Sequence, residues 1–391
     1  MLNEMQTTEK LYDTNSYLKE FQATVVSCEQ KNEDSWNVIL DKTAFFPEGG
    51  GQAGDTGWLN DIEVIDTREK NGVIYHETKA PLEAGTPVTG KINFEARFDK
   101  MQQHTGEHIL SGIVCSTYGY NNVGFHLSSK ITTLDFDGEL GSEQVRELEV
   151  KANEMIYANL PVQILFPAKE ELVKMDYRSK IEIEGQVRIV EIPGVDRCAC
   201  CAPHVRNTAE VGMIKILSCD RHRGGCRLTI ACGMRALKDY QQKQESVGKV
   251  SAALSAKPEK IAEAVERLQE QQTKLREQLN SIQAMYLKGK LEMLTGEEKF
   301  VCIFEEMLDS IAMRNFVNDA MEKCDGVCGA FIGTDSDGYH YVLGSKTVDM
   351  REFSKKLNEK FRGKGGGKPQ MVQGSLCGAK KEILEAIEKL I

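Results

Sequence analysis

The sequence predicts an α+β protein, because two different hydrophobic periods follow one another along its 391 residues. Short runs that alternate apolar and polar residues, separated by Gly, Asn and Asp, fill residues 21–78 and are typical of strands. Apolar residues spaced three and four apart begin at Asp99 and dominate after Gly233, as in helices. We therefore expect a small, barrel-like β lobe, an α+β lobe, a helical linker and an α/β C-terminal lobe.

The lobes are expected at residues 1–95, 96–237, 238–295 and 296–391. In the first lobe, the alternating runs predict strands at residues 24–28, 36–40 and 73–76. In the second lobe, the pattern predicts helices at 99–118 and 143–158, and strands at 130–136, 187–192, 211–217 and 227–231.

The linker is helical in composition to about Leu294, with Pro258 as the one interruption. Its residues follow the alternating four-three step of a coiled coil, with one polar member that would fix the register: Ile261, Val265, Leu268, Gln272, Leu275, Leu279, Ile282 and Tyr286. Two interpretations stay open. The seam, together with the C-terminal lobe, pairs two copies into a homodimer, or it packs on its own chain.

The C-terminal lobe is predicted to run strand 300–304, helix 307–324, strands 330–332 and 339–343, and helices 348–361 and 379–390. Residues 363–374 are rich in glycine and are expected to form a loop whose backbone amides can approach phosphates. The chain has a net charge of −10, yet residues 346–391 hold eleven Lys/Arg against six Asp/Glu. The basic residues nearest the glycines are candidate RNA contacts, the alternative being a solvated basic face: Lys355, Lys356, Lys360, Arg362, Lys364 and Lys368.

Several classes of protein are disfavoured by composition. The sequence contains no run of 18 or more apolar residues, and its first twenty residues are polar, so we expect no membrane partner and a cytoplasmic location. Six of the twelve cysteines fall within residues 198–232, a clustering that favours metal binding or incidental thiols over disulfides.

Two pairs of residues predict a metal site, and zinc is the ion that their chemistry favours. His104 and His108 are four apart, on one face of the predicted helix, where both imidazoles can reach one ion. Cys200 and His204 complete a set of four nitrogen and sulfur donors. Such a set also suits a purely structural zinc.

Neighbouring residues leave alternatives open. Residues 104–108 also fit the H-x-x-E-H peptidase pattern, in which Glu107 would be the general base. Cys201 competes with Cys200 as a ligand. Cys219, His222 and Cys226 form either a second site or incidental thiols.

Upstream of the histidines, Gly49, Gly50 and Gly51 can adopt positive φ and permit the close approach of a ligand. Gln52 adds an amide and Thr43 a hydroxyl. A structural zinc would not need this stretch, so Thr43, Gly50, Gly51 and Gln52 are candidate catalytic or substrate-binding residues.

The glycine-rich stretch, the H-x3-H pair and the C-x3-H pair, in that order, resemble the editing domain of alanyl-tRNA synthetase. They are most similar to the freestanding, long-form alanyl-tRNA editing proteins, over residues 24–237. The glycine-rich segment at 363–374 resembles the DHH-associated domain that ends the synthetase. The chain departs from the family at residues 201–203, which are Cys-Ala-Pro where Gly-Gly-Thr is usual.

This resemblance implies zinc held by His104, His108, Cys200 and His204, with Thr43 and Gln52 facing the aminoacyl group. It implies hydrolysis of the ester that joins serine to the tRNA for alanine, with the glycyl ester as a second candidate. Only about twenty residues precede the first predicted strand, too few for an activation domain, so action in trans is expected. The open alternatives are a threonyl-tRNA-type editing enzyme and a non-catalytic tRNA-binding protein with structural zinc.

Overall fold

The computed structural model of the protein describes residues 7–179 and 186–391. The first six residues of the predicted N-terminal lobe lie outside them. The chain divides into two compact units, Met1–Gly248 and Lys249–Ile391. The four predicted lobe boundaries stay predictions. The architecture is α+β, as expected, and no helix of the described residues is long and apolar enough to cross a membrane.

The N-terminal part of the first unit is a closed barrel of six strands. The elements are β1 (Glu9–Lys10), α1 (Leu11–Thr14), β2 (Glu20–Asn32), β3 (Ser35–Leu40), β4 (Lys42–Thr43), β5 (Gly57–Leu59), β6 (Ile62–Lys70), β7 (Val73–Thr78) and β8 (Pro87–Ile92). The barrel order is β2-β3-β7-β6-β5-β8, and β1 pairs in parallel with β4. Each of the three predicted strands lies within an observed strand. Alternate residues of β2 and β3 fill the interior, among them Val25, Val38 and Leu40.

The rest of the first unit surrounds one long helix, α2 (Phe94–Tyr118). The following elements are β9 (Asn122–Leu127), β10 (Thr132–Phe136), α3 (Ser142–Tyr157), β11 (Gln163–Leu165), α4 (Lys169–Leu172), β12 (Ile189–Ile192), β13 (Asp196–Ala199), β14 (Ile214–His222), β15 (Gly225–Cys232) and α5 (Met234–Leu254). Strands β14-β15-β10-β9 and β11-β12-β13 form two antiparallel sheets.

Helix α2 begins five residues before the predicted start, because the Asn93 side chain caps it by accepting from the Ala96 amide at 3.2 Å. It ends at Gly119, whose φ of 71° is the left-handed conformation of a helix C-terminus. Every residue from Met101 to Val114 is buried, including His104 and His108. A helix buried on all sides fixes the position of these side chains.

The second unit begins within α5. The break predicted in the helical linker at Pro258 is confirmed. A 3₁₀ turn covers Pro258–Lys260, and α6 runs Ile261–Glu292. Six apolar members of the predicted seam are 36–65% exposed in the chain: Val265, Leu268, Leu275, Leu279, Ile282 and Tyr286. Near the end of α6, by contrast, Leu287 and Leu291 pack into the core of the C-terminal sheet.

The C-terminal elements are β16 (Phe300–Glu305), α7 (Ser310–Lys323), β17 (Val327–Thr334), β18 (Gly338–Gly344), α8 (Met350–Lys360), β19 (Lys364–Lys368), β20 (Met371–Leu376) and α9 (Lys380–Leu390). They build a sheet of order β16-β17-β18-β20-β19, parallel only between β16 and β17. The predicted glycine-rich loop is wrong, since these residues form the β19–β20 hairpin. Glycine suits the hairpin sterically, because a Cβ on Gly365 or Gly374 would lie 2.6 Å from the hydroxyl of Tyr341.

Candidate metal centre

Four side chains converge in the first unit. The Sγ atom of Cys200 lies 3.6 Å from Nε2 of His104 and 3.4 Å from Nε2 of His204. The ring of His108 is 4.6 Å from that of His204, and the ligand atoms of all four residues lie within 4.8 Å of one another. Helix α2 supplies two of them, and the segment after β13 supplies Cys200 and His204. The predicted ligand set is thus gathered at one point.

The spacing of these atoms fits zinc. Tetrahedral zinc, with bonds of about 2.3 Å to sulfur and 2.0–2.1 Å to nitrogen, separates a sulfur from a nitrogen ligand by roughly 3.5 Å. The two distances from Cys200 agree with that value. Three imidazoles and one thiolate are also donors that zinc accepts in proteins. These four residues could therefore hold one zinc ion.

Each histidine is oriented by a hydrogen bond from its other nitrogen. Nδ1 of His104 donates to Oε1 of Gln52 at 3.0 Å. Nδ1 of His108 donates to Oδ2 of Asp196 at 2.8 Å, and Arg178 holds the same carboxylate. Nδ1 of His204 lies 3.0 Å from the hydroxyl of Thr105 and can donate to it. Partners of this kind fix the tautomer that leaves Nε2 free for a metal.

Three of these orienting residues were missed in the sequence: Thr105, Arg178 and Asp196. Thr105 is adjacent to His104, but a single threonine carries no recognisable signal. Asp196 is four residues before Cys200, a spacing that suggests a nearby carboxylate only once the strand β13 is known. Long-range folding alone joins Asp196 to His108, 88 residues earlier in the chain.

Electrostatics in the cluster favour a thiolate. Burial alone would raise the pKa of the Cys200 thiol, but His104 and the other two imidazoles hold it well below its usual range. Burial opposes protonation of His108, yet the carboxylates of Glu107 and Asp196 raise its pKa well above the ordinary value. Burial lowers the pKa of His204 to about 3, so its imidazole is neutral. A thiolate and neutral imidazoles are the forms that bind metal, so an ion bound in the cluster would displace the proton that the raised pKa leaves on His108.

The glycine-rich stretch forms a tight turn beside the cluster. The backbones of Gly49 and Gln52 exchange two hydrogen bonds of 3.0 Å, and the residues between them, Gly50 and Gly51, have φ of 60° and 82°. Positive φ at both central positions is the signature of a type I′ turn. A Cβ on Gly51 would lie 2.5 Å from the carbonyl oxygen of Phe125, so glycine is required there.

Gln52, the last residue of this turn, contacts His104, and the side chain of Gln52 is fully buried. Because Oε1 accepts from His104, the opposite end of the amide is the Nε2 donor. That atom has no hydrogen-bond partner among the described residues. A buried donor left unpaired costs about 1–3 kcal/mol, so the site favours a ligand that brings an acceptor oxygen.

Helix α2 also anchors the stretch from its other side. Arg97 is fully buried, and its Nε atom donates to Oδ2 of Asp55 at 2.9 Å, while its guanidinium also reaches the carbonyl of Ala44. Oδ2 of Asp55 accepts from the Phe46 amide at 2.7 Å. Asp55 thus holds the stretch, and Glu48, on the surface, lies 3.7 Å from Arg68.

Thr43 lies at the end of β4 with no exposed surface. Its Oγ1 atom is 2.8 Å from Nε2 of His76 and accepts from the Phe45 amide at 3.1 Å. Thr43 and Gln52 are therefore the two ends of one anchored stretch. His76, its buried partner, was not singled out in the sequence, where a lone histidine in a strand gives no signal.

Of the alternative residues, Glu107 lies next to the cluster, with its Oε2 atom 3.6 Å from Nε2 of His108, and the others lie outside the cluster. Cys201 is exposed and lies outside the cluster of four. Oε1 of Glu107 accepts from Ser111 at 2.8 Å and from Asn122 at 2.6 Å. Among the described residues, the one other candidate metal group is His108, Asp196 and Cys198, which overlaps the first. His222 faces Asp135 and Arg227 instead of joining Cys219 and Cys226 in a metal group.

In the second unit, all six predicted basic residues are exposed. Two of them, Lys355 and Lys364, line one hollow of about 470 Å³, together with Gly365 and Gly366 of β19. Its lining does not include the other four: Lys356, Lys360, Arg362 and Lys368.

Three family models match the chain. The second additional domain of threonyl and alanyl tRNA synthetases matches residues 187–229, which include Cys200 and His204. The class II (A) tRNA synthetase model matches residues 2–96, and the DHHA1 domain matches residues 297–391. The last match covers the sheet with the glycine hairpin.

Full-length relatives match as well. The alanyl-tRNA editing protein AlaX-L of Pyrococcus horikoshii is 30% identical, over 98% of both chains. The alanyl-tRNA editing protein Aarsd1-B of Xenopus laevis is 29% identical, over 96% of both chains. The alanine–tRNA ligase of Pyrococcus abyssi is 28% identical, and the match spans all of this chain but 44% of the ligase. The chain therefore belongs to the family of alanyl-tRNA editing proteins, which are aminoacyl-tRNA deacylases.

Proposed function

We propose that this deacylase hydrolyses the ester that joins serine to the tRNA for alanine, using one zinc ion held by His104, His108, Cys200 and His204. The glycyl ester is the second candidate substrate. The observation that carries the proposal is the convergence of four donor atoms, three of them on buried histidines, within 4.8 Å of one another and beside the unpaired amide of Gln52.

The choice of serine follows from a limit on molecular recognition. A pocket built for alanine discriminates against an amino acid that differs by one small group by only about 1–3 kcal/mol of free energy. A second site that hydrogen-bonds a hydroxyl can favour the substrate that carries it over the analogue that lacks it by a factor of about 10⁴–10⁵. Such a site would hydrolyse the seryl ester and spare the alanyl ester. Thr43 and Gln52 are the residues that we assign to this discrimination.

The reaction is an ester hydrolysis, in which water adds to the carbonyl carbon and the bond to the ribose oxygen breaks, giving serine and free tRNA. Bound zinc supplies positive charge that lowers the pKa of a water or anchors the amino group of the substrate. The amide of Gln52, held by His104, donates to an oxygen of the aminoacyl group. The backbone amides of Gly50 and Gly51 take no part in the hydrogen bonds of their own turn and can position the water.

The C-terminal unit is proposed to bind the tRNA backbone through its six exposed basic residues. Support comes from their exposure, from the hollow that Lys355 shares with Lys364, and from the match of residues 297–391 to the DHHA1 domain. A chain of net charge −10 repels a polyanion elsewhere, so the basic end is the favourable contact.

Pairing of two copies through α6 is a further part of the proposal. The seam has coiled-coil spacing, and six of its seven apolar members are exposed. Sedimentation equilibrium of the intact protein and of Leu275→Lys tests it. A monomer at all concentrations of the intact protein would remove the dimer from the proposal.

The decisive experiment compares three charged tRNAs with the purified protein, with and without a zinc chelator. We expect rapid loss of serine from the tRNA for alanine, slow loss of alanine from it, and no activity after chelation. Faster release of serine from the tRNA for threonine would favour the threonyl-type enzyme. Binding without release of any amino acid would favour a non-catalytic tRNA-binding protein.

A further inference from the structure

His76 is buried inside the barrel, on β7, and both of its ring nitrogens have partners. Nδ1 lies 3.0 Å from the carbonyl oxygen of Val38, and Nε2 lies 2.8 Å from Oγ1 of Thr43. A carbonyl oxygen can only accept, so Nδ1 carries a proton and donates it to Val38. Burial lowers the pKa of His76 to about 4, so the ring is neutral near pH 7 and Nε2 has no proton.

This tautomer determines the direction of the Thr43 hydroxyl. Because Nε2 is an acceptor, the hydroxyl proton of Thr43 points at His76. The oxygen also accepts from the Phe45 amide at 3.1 Å. One lone pair is left. The Thr43 oxygen can therefore accept a hydrogen bond from a ligand. It cannot donate one, because its own proton is already donated to Nε2 of His76.

The ring of His76 is held in this orientation. The ring of Phe45 meets it edge-on, with centroids 5.3 Å apart and an angle of 77° between the planes. A flip of the imidazole would break the bond to Val38, and the loss of one hydrogen bond costs about 0.5–1.5 kcal/mol. The barrel thus fixes both the side chain and the proton.

We propose that His76 is a positioning residue that makes Thr43 an obligate hydrogen-bond acceptor, and that this selects aminoacyl esters whose side chain carries a hydroxyl donor. The inference rests on the proposed function, in which Thr43 faces the aminoacyl group. Serine carries the donor on its β-carbon, whereas alanine and glycine have none. The seryl ester gains from this contact, and the alanyl and glycyl esters do not.

Two sets of interactions connect Thr43 with the metal centre. Arg97 bonds the carbonyls of both Ala44 and Ser16, and the hydroxyl of Ser16 donates to the carbonyl of His204 at 3.0 Å. On the other side, Phe46 packs in one small cluster with Ala202, against which Cys200 lies. Hydrogen bonds through Arg97 and Ser16, and the packing of Phe46 on Ala202, thus link the stretch that begins at Thr43 to the segment of Cys200 and His204.

Two substitutions of His76 separate its roles. In His76→Asn, the amide NH₂ occupies the place of Nδ1 and can still donate to Val38, but nothing reaches Thr43. In His76→Gln, the longer side chain brings an amide oxygen to the place of Nε2, where it can accept from Thr43. Both variants replace a ring by an amide, so each controls for the loss of the ring.

The measurement is the ratio of kcat/KM for the seryl ester to kcat/KM for the alanyl ester, with zinc content and melting temperature determined for each variant. We expect His76→Asn to lower the ratio by about 2- to 12-fold, the range for loss of one hydrogen bond. His76→Gln should keep a ratio closer to that of the intact protein. In a Thr43→Val background, His76→Asn should lower the ratio no further, because it acts through Thr43.

The outcomes distinguish this inference from the proposed function. His76 does not position Thr43 if Thr43→Val lowers the seryl-to-alanyl ratio of kcat/KM and His76→Asn leaves it unchanged. The same conclusion follows if His76→Asn and His76→Gln change that ratio equally. If Thr43→Val leaves the ratio unchanged, the hydroxyl is read elsewhere and both assignments fall. Nitrogen-15 NMR of histidine-labelled intact protein gives an independent test, and a protonated Nε2 on His76 at pH 7 would overturn the inference.

Discussion

Nδ1 of His104 donates a hydrogen bond of 3.0 Å to Oε1 of Gln52, and this bond joins the helix that carries the histidine pair to the glycine-rich turn. It orients both partners at once. The imidazole presents Nε2 to the cluster, and the amide presents its unpaired NH₂ group to a ligand. The metal centre and the proposed substrate contact are therefore parts of one unit.

Replacement of adjacent cysteines should distinguish the zinc ligand from its neighbour. We expect Cys200→Ser, His104→Ala and His108→Ala to lose most of the bound zinc, because each removes one of the four converging donors. Cys201→Ser should keep about one zinc per chain, because that thiol lies outside the cluster. Metal analysis of the purified variants decides, and full zinc in both histidine variants would contradict the assignment.

Loss of the Gln52 side chain should weaken zinc binding even though Gln52 is not a ligand. Removing an outer partner of a ligating histidine costs about 10- to 100-fold in metal affinity. Competition with a chromophoric chelator measures this for Gln52→Ala. Glu48→Ala, an exposed change in the same stretch, is the control and should bind zinc normally. Equal affinity in both variants would mean that the bond to His104 does not orient the imidazole.

Arg97 and Asp55 should contribute strongly to the stability of the first unit. Their ion pair is almost completely buried, so Arg97→Met leaves the Asp55 carboxylate with only Lys100, 4.0 Å away, as a cationic partner. We expect it to lower the free energy of unfolding by about 3–5 kcal/mol. Changing Asp55 to Leu in the same chain removes the poorly paired charge and should recover part of the loss. Urea denaturation measures both, and a double variant no more stable than the single one would argue against this account.

His76 should make stability depend on pH in one window. Its pKa falls from 6.5 to about 4 on folding because burial disfavours the charged ring. Between these values the unfolded chain binds more protons, so this contribution to stability is full above pH 6.5 and is lost as the pH falls toward 4. The total is about 3 kcal/mol. His76→Gln should show a shallower fall in unfolding free energy over that window, and an identical slope would show that His76 stays protonated in the fold.

The basic residues of the C-terminal unit should govern the salt dependence of tRNA binding. We expect the double change Lys355→Gln and Lys364→Gln to raise KM for charged tRNA with little effect on kcat. The slope of log affinity against log salt should become shallower by roughly 0.7–0.9 for each phosphate that the protein no longer neutralises. Lys151→Gln, an exposed change on α3, is the control. If the double variant and the control have equal slopes, dimerisation and not tRNA binding is the better explanation of the role of the C-terminal unit.

Much of the fold could be predicted because its causes are local. The three predicted barrel strands, the break at Pro258 and the long helix with its histidine pair all follow from hydrophobic period and from residues that start or stop an element. The i,i+4 spacing places His104 and His108 on one face of any helix. The starts and ends of elements were less certain, since a single cap such as Asn93 moved the start of α2 by five residues.

Residue types at short spacings were enough to identify the candidate donor set and the family that the chain resembles. The folded chain was needed to show that Cys200 and not Cys201 joins the cluster, that Asp196 orients His108, and that His76 holds the hydroxyl of Thr43. It also turned the expected glycine-rich loop into a hairpin. For the contacts of Cys200 with His104, Asp196 with His108 and His76 with Thr43, the reason is distance along the chain. These pairs are 33 to 96 residues apart, and no local pattern records which side chains such folding brings together.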